Sequence, residues 1–319
     1  MSRYRYVLSI GFAALFAVSS LAADKEHATI VREGNLYVLP GSNSEKLAHL
    51  TRGRDLVILE RTNIDNNQPW YKVFATIVDR ERERVQEITG WLPAKGIVTP
   101  STPNGDEIIF GEAVDSEQQA EQRGGRKGAA EDALRLYFRI TELFPNSPIT
   151  PEAMWRSADI RWQIEKAEVM GRPSARDLDP DARNPVEEQF LKDVIKKFPH
   201  TKWADLAAYN MIDNKLCGDW KGLAKCPEKE SEIYEKYARE HPQSPKVSEA
   251  LYNAAWRQAV LIDIYKSNTE NEKSVKAKRK AQELGQQAAQ GTGDWRARAL
   301  DLMYKLDQNI PLFGNAAVE

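Results

Sequence analysis

Hydrophobic and polar positions fall into two regimes along the chain. As far as Val98 the apolar residues come in short runs broken by turn residues; beyond Gly128 they recur every three or four positions over long stretches. The first regime predicts strands at Ala28 to Arg32, Leu36 to Leu39, Leu56 to Arg61, Trp70 to Val78 and Val85 to Trp91, a small antiparallel barrel. Between them lie Pro40-Gly41-Ser42-Asn43, the polar stretch Asn63 to Gln68 and the charged tip Asp79 to Arg84, whose residues tolerate tight or solvated backbone. The second regime predicts amphipathic helices, since Leu136, Ile140 and Phe144, and again Phe190, Val194 and Phe198, recur every four residues and make one buried stripe per helix.

The helical half repeats itself. Three segments, YFRITELFPNSPITPEAMWRSADI, FLKDVIKKFPHTKWADLAAYNMI and IYEKYAREHPQSPKVSEALYNAAW, align without a gap on Pro145, Pro199 and Pro242. A hydroxyl follows two places on (Ser147, Thr201, Ser244), an alanine eight on (Ala153, Ala207, Ala250) and an aromatic ten on (Trp155, Tyr209, Tyr252). Proline stops one helix, and the hydroxyl is placed to cap the next. Alanine allows close approach, and the aromatic, about 200° further round the helix, faces a different neighbour. Ile212 stands where the other copies have Ala158 and Ala255, a local opening of the packing.

These positions resemble the tetratricopeptide (TPR) family, particularly its periplasmic branch in outer-membrane barrel assembly and Tol-Pal-linked cell division. The resemblance covers Ala129 to Ile310 and is divergent: the prolines are 54 and 43 residues apart where about 34 is usual. Insertions are therefore expected, one at Met170 to Pro185 and one around the cysteines. Two further helices, Asn271 to Ala289 and Asp294 to Asn309, suit a terminal capping pair, and residues 311–319 form a tail. The basic run Lys273 to Lys280 reads as a solvated helix face.

In the first half, LYVLPGSNSEKLAHLTRGRDLVILE, PWYKV and GWLPAKGIV are similar in order and spacing to bacterial SH3 domains, over residues 27–98. The long charged hairpin departs from the family, in which a short turn is usual. The resemblance implies recognition of peptides or cell-wall stem peptides, with Tyr37, Trp70, Tyr71 and Trp91 as the ligand-facing aromatics. Trp70 and Trp91 also read as barrel core, which leaves Tyr37 and Tyr71 as the better ligand candidates.

The expected fold is thus multidomain: a small all-β SH3-like barrel followed by an all-α TPR-like repeat array. Residues 99–128, with Pro100, Pro103, Gly105 and the cluster Arg123 to Gly128, read as the linker between them, although Asp106 to Gln122 has the pattern of a helix resting Ile108, Ile109 and Phe110 on a neighbour.

Residues 1–22 read as a secretory signal: Arg3 and Arg5 precede an apolar run from Val7 to Leu21, which ends at the small-residue site Ser20-Leu21-Ala22. An uncleaved anchor is the other reading of so short a run, and no later segment reaches the ~20 apolar residues of a membrane span. A periplasmic or secreted chain follows. The net charge of −2 moves to −4 when Arg3 and Arg5 leave, which gives no support to nucleic-acid binding. Cys217 and Cys226 are the two cysteines, and in an oxidising compartment they read as a disulfide closing a small loop. A metal pair or a redox thiol pair remain as alternatives, with His27, His49, His200 and His241 all distant in sequence.

No Gly-x-Ser-x-Gly, His-Glu-x-x-His or phosphate-binding glycine loop occurs, so neither catalysis, a metal nor a cofactor is expected. The function read from the sequence is a non-catalytic exported adaptor or scaffold for envelope proteins or peptides, with peptidoglycan as a further partner. The second reading is a cell-wall hydrolase, or an inactive relative, with an SH3-like targeting domain. Partner-facing candidates on the repeats are Trp155, Arg156, Arg161, Trp162, Trp203, Tyr209, Asn210 and Tyr252.

Overall fold

The computed structural model describes residues 25–64, 68–79 and 84–312. Residues 1–22, read as a secretory signal, residues 65–67 of the polar stretch, residues 80–83 of the charged tip and residues 313–319 of the tail lie outside the described residues. What is described forms seven strands followed by nine α-helices.

The strands are β1 (Glu26–Ile30), β2 (Gly34–Tyr37), β3 (Lys46–Leu50), β4 (Asp55–Ile64), β5 (Gln68–Asp79), β6 (Arg84–Pro93) and β7 (Ile97–Val98). They make one curled antiparallel sheet in the order β3-β2-β6-β5-β4-β1-β7. Two of these strands lie beyond the five runs legible in the sequence. Lys-Leu-Ala-His-Leu in β3 lacks the β-branched residues that mark a strand, and β7 is two residues long. Alternate residues of β1, β2, β4 and β5 point inward, so Ala28, Leu36, Leu56 and Val73 are fully buried. Gly90 explains the Gly-Trp step: a Cβ there would sit 2.7 Å from Leu36 Cγ and 2.8 Å from Tyr37 O, so only glycine lets β2 cross so close to β6.

The helices are α1 (Gly105–Glu121), α2 (Ala129–Leu143), α3 (Thr150–Met170), α4 (Gln189–Lys197), α5 (Lys202–Asn210), α6 (Lys225–Glu240), α7 (Val247–Ser267), α8 (Asn271–Ala288) and α9 (Gly293–Asp307). The segment 99–128, read above as a linker, is mostly the helix α1. Ile109 and Ala113 are fully buried in a cluster that also holds Leu136 and Ile140 of α2, Val31 just past β1 and Val98 of β7. The physical reason is apolar burial, which fixes α1 despite the prolines and glycines around it.

The sheet and the helices therefore share a core, and polar contacts close the seam. Arg135 Nε donates to Arg52 O at 3.0 Å, and Arg52 pairs with Glu112 at 3.1 Å, Arg126 with Glu33 at 3.2 Å and Arg139 with Asp55 at 3.3 Å. At Gly53, with φ +72, an added Cβ would lie 2.7 Å from Arg135 Cβ and Leu136 N, so backbone meets helix at this point.

The three repeat copies end their first helices alike. Phe144, Phe198 and His241 have φ,ψ of −132,58, −129,56 and −124,57, and each donates its N–H to the carbonyl four residues back. Ala153, Ala207 and Ala250 are all fully buried, as close helix approach requires. The hydroxyls divide. Thr201 Oγ1 caps α5 by accepting from Ala204 N, but α3 and α7 begin later, and Ser147 and Ser244 instead accept from the N–H two residues on. The second copy is shortened: α5 stops at Asn210, so Ile212 lies past its end, 4 % exposed in the core, rather than opening a helix contact.

The two insertions pack on each other. Gly218 N donates to Asp177 O at 2.8 Å, and Arg183 donates to Asp213 O at 3.0 Å, satisfying a carbonyl beyond α5. Cys217 and Cys226 form a disulfide, a cross-link that persists in oxidising compartments. Beneath it, Glu230 accepts from Cys217 N at 2.9 Å, Trp220 Nε1 at 3.1 Å and Arg257 Nε at 2.7 Å, which meets the hydrogen-bonding demand of a buried charge. No helix among the described residues is long and apolar enough to cross a membrane.

Candidate binding groove

The aromatics predicted to face a ligand divide between the two faces of the sheet. Trp70 and Tyr71 are consecutive in β5 and so point to opposite sides. Tyr71 packs at the edge of the sheet's core, with the Arg61 guanidinium 5.2 Å from its ring centre. Tyr37 pairs across the ladder with Trp91, and Trp91 with Lys72, which puts Tyr37, Trp91 and Trp70 on one face. Lys72 Nζ lies 5.9 Å from the Trp91 ring and 2.7 Å from Glu60, so Trp91 is half covered by its own strand neighbours.

Tyr37 and Trp70 meet edge to face at 5.7 Å between ring centres and form the floor of an open groove of about 970 Å³. Its walls are the segment Val38 to Glu45 on one side and Ile64, Gln68 and Pro93 on the other. The first wall is folded by its own bonds: Val38 N donates to Glu45 O, Leu39 N to Ser44 Oγ and Ser44 N to Gly41 O. This holds Val38 and Leu39 outward, 43 % and 63 % exposed. Trp70 is 3 % exposed, and its indole Nε1 is fully buried with no hydrogen-bond partner among the described residues, so the ring contributes its edge and not its N–H to the groove. An aromatic floor and exposed apolar walls suit an extended peptide that lays apolar side chains on them. The β-residues were legible as aromatics in sequence; the wall Val38 to Glu45 was legible only as a turn, and the unsatisfied indole not at all.

The repeat residues expected to face a partner are spent largely on joining repeats. Each tenth-position ring reaches forward: Trp155 stacks on Trp203 at 5.1 Å, Tyr209 meets Tyr237 at 5.0 Å, and Tyr252 meets Trp295 at 5.4 Å. The next residue reaches back. Arg156 pairs with Glu117 of α1 at 2.8 Å, Asn210 Nδ2 donates to Asp159 of α3 at 2.5 Å, and Asn253 Nδ2 stands 3.5 Å from Tyr209 OH of α5. Arg156 thus links the array to α1, which serves it as a further helix. Trp162 is 3 % exposed, its Nε1 directed at Asp213, so it presents no surface. Arg161 lies over Phe190 at 3.8 Å and is half-buried beside a cleft between the sheet and α3.

Burial shifts several groups in this packing. It raises the Asp159 carboxyl above its ordinary value, against the pull of hydrogen bonds from Asn210 and Gln163. It also raises the Tyr209 hydroxyl strongly and pushes Tyr234 up to about 12. Among the described residues no group of three or more His, Cys, Asp or Glu is placed to hold a metal ion.

No family model matches this chain, and a search of curated proteins found none similar to it. Among solved structures the chain is similar to a de novo designed helical repeat protein, at 14 % identity and a TM-score of 0.19, over 64 % of this chain and 92 % of that one. A likeness of that size does not bear on the fold. The class that the structure itself defines is a curled antiparallel sheet built into an array of paired helices, with an aromatic groove on the sheet.

Proposed function

We propose that the chain is a non-catalytic exported scaffold whose sheet, a bacterial SH3-like barrel, binds an extended segment of an envelope protein or cell-wall peptide, and whose TPR-like array holds that barrel in place. The observation that carries this reading is the groove floored by Tyr37 and Trp70, with Val38 and Leu39 held exposed on its wall. Apolar or prolyl side chains of the bound segment cover Leu39, Tyr37 and Pro93. The leader-like first residues and the disulfide support an extracytoplasmic setting.

A peptide array of extended, proline-containing and apolar sequences, probed with the mature chain and with Leu39→Ala, tests this. The variant removes the most exposed apolar side chain of the groove wall. Peptides bound by the native chain are expected to weaken about tenfold, in line with the ~1.5 kcal/mol of burying a leucine side chain. Binding that Leu39→Ala leaves unchanged, or an array with no bound peptide, refutes the assignment of the groove.

A further inference from the structure

At the other end of the molecule, where α7, α8 and α9 meet, lies a cleft that the array leaves open. Ala259, Ile262 and Leu306 line it, with Val275 and Ile310 beside them. Its volume is about 210 Å³, more than the ~150 Å³ of an apolar cavity that takes up benzene. One aromatic or branched side chain therefore fits. Val275 is 70 % exposed and Ile310 43 %, so an occupant that covers them gains apolar burial.

The charge around this cleft is uneven. Lys266, Lys278 and Lys305 line it against the single carboxylate of Asp263, on a chain whose net charge is −2. Lys266 stands 3.4 Å from Asp263, and Lys305 2.6 Å from Asp301. Both pairs are open to solvent, where ion pairs hold weakly and exchange for a better-placed carboxylate. Lys278 donates to the amide oxygen of Asn309 at 3.0 Å, and among the described residues no carboxylate pairs with it.

We infer that this cleft binds an acidic segment of a partner protein, one bulky apolar side chain entering beside Ile262 and Leu306 while flanking carboxylates meet Lys266 and Lys278. Apolar lining and a lysine rim together call for that combination, because a carboxylate alone leaves Val275 wet and an apolar segment alone leaves Lys278 without a carboxylate and Lys266 with only its solvent-exposed partner Asp263. The site is separate from the sheet groove and stands whether or not that groove binds peptide.

The test uses two fluorescein-labelled probes, Glu-Asp-Leu-Phe-Glu-Asp and Lys-Lys-Leu-Phe-Lys-Lys, titrated by anisotropy with the native chain, with Lys266→Glu plus Lys278→Glu, with Leu39→Ala and with a chain lacking residues 313–319. Lys266 is exposed and Lys278 half-buried at the cleft rim, and circular dichroism verifies that the double variant keeps its fold. The acidic probe is expected to bind at least about tenfold more tightly than the basic one, a factor that electrostatic complementarity supplies. That preference falls below about threefold or inverts in the double variant, and is unchanged in Leu39→Ala and in the shortened chain. Equal binding of the two probes, or a preference that survives the double variant, overturns the proposal. Acidic-probe binding seen only after removal of residues 313–319 also overturns it and makes that segment the occupant; loss of probe binding in step with self-association, followed by sedimentation, makes a second copy the occupant.

Discussion

Replacing Gly53 by alanine isolates the contact that joins sheet to helices. The residue has φ +72, a region that costs a residue with a Cβ about 1–2 kcal/mol. The new Cβ also falls 2.7 Å from Arg135 Cβ and Leu136 N, and neither is the far end of a flexible side chain, so α2 must move. Overpacking of that kind costs about 1–3 kcal/mol, which brings Gly53→Ala to a loss of about 2–5 kcal/mol. Gly96 is the control, because its φ is +87 while the nearest atom to an added Cβ, Arg32 Cβ, is 3.6 Å away. Gly96→Ala therefore carries the backbone cost alone, about 1–2 kcal/mol. Urea unfolding followed by circular dichroism gives both values, and amide exchange at Ile109 and Leu136 reports whether the seam itself loosens. Equal destabilisation by the two substitutions, with exchange at Ile109 and Leu136 unchanged in Gly53→Ala, refutes a tight seam.

Other expectations concern the array. Cys217→Ser with Cys226→Ser opens a loop of sequence separation 9 and is expected to cost about 2.5 kcal/mol in urea unfolding, by the entropy of loop closure; no change contradicts a structural role for the cross-link. Burial raises the Asp159 carboxyl above its value in the unfolded chain, so the stability its protonated form provides is full below pH ~4 and is lost as pH rises through the folded-state value. Asp159→Asn, which still accepts from Asn210, therefore gains on the native chain as pH rises from ~4 to 7. Parallel unfolding midpoints that never diverge over that range count against the assignment.

Much of the array was legible because its signals are local. Proline after a helix end, alanine at a close approach and a ring two places on act within one copy, and Phe144, Phe198 and His241 accordingly share one backbone conformation. The contacts between copies were not legible. Asn210 and Arg156 look like surface polar residues until the fold places Asp159 and Glu117 beside them. The same holds for α1, whose flanking Pro100, Pro103 and Gly128 are linker residues by composition, while Ile109 is fixed by Leu136 and Val98 from elsewhere in the chain. In the groove, Tyr37 and Trp70 were visible as aromatics at strand positions, but their partition from Tyr71 depends on register. The unsatisfied Trp70 N–H depends on what the fold leaves out of its reach.

The sheet is built into the helical array rather than tethered to it. Spin labels on Lys46→Cys in β3 and Arg279→Cys in α8 measure this directly, since both positions are exposed and the native cysteines are held in their disulfide. A shared core predicts one narrow distance distribution, as sharp as that for two labels within the array. A distribution spread over about 30 Å, as a flexible linker spanning residues 99–128 gives, contradicts it.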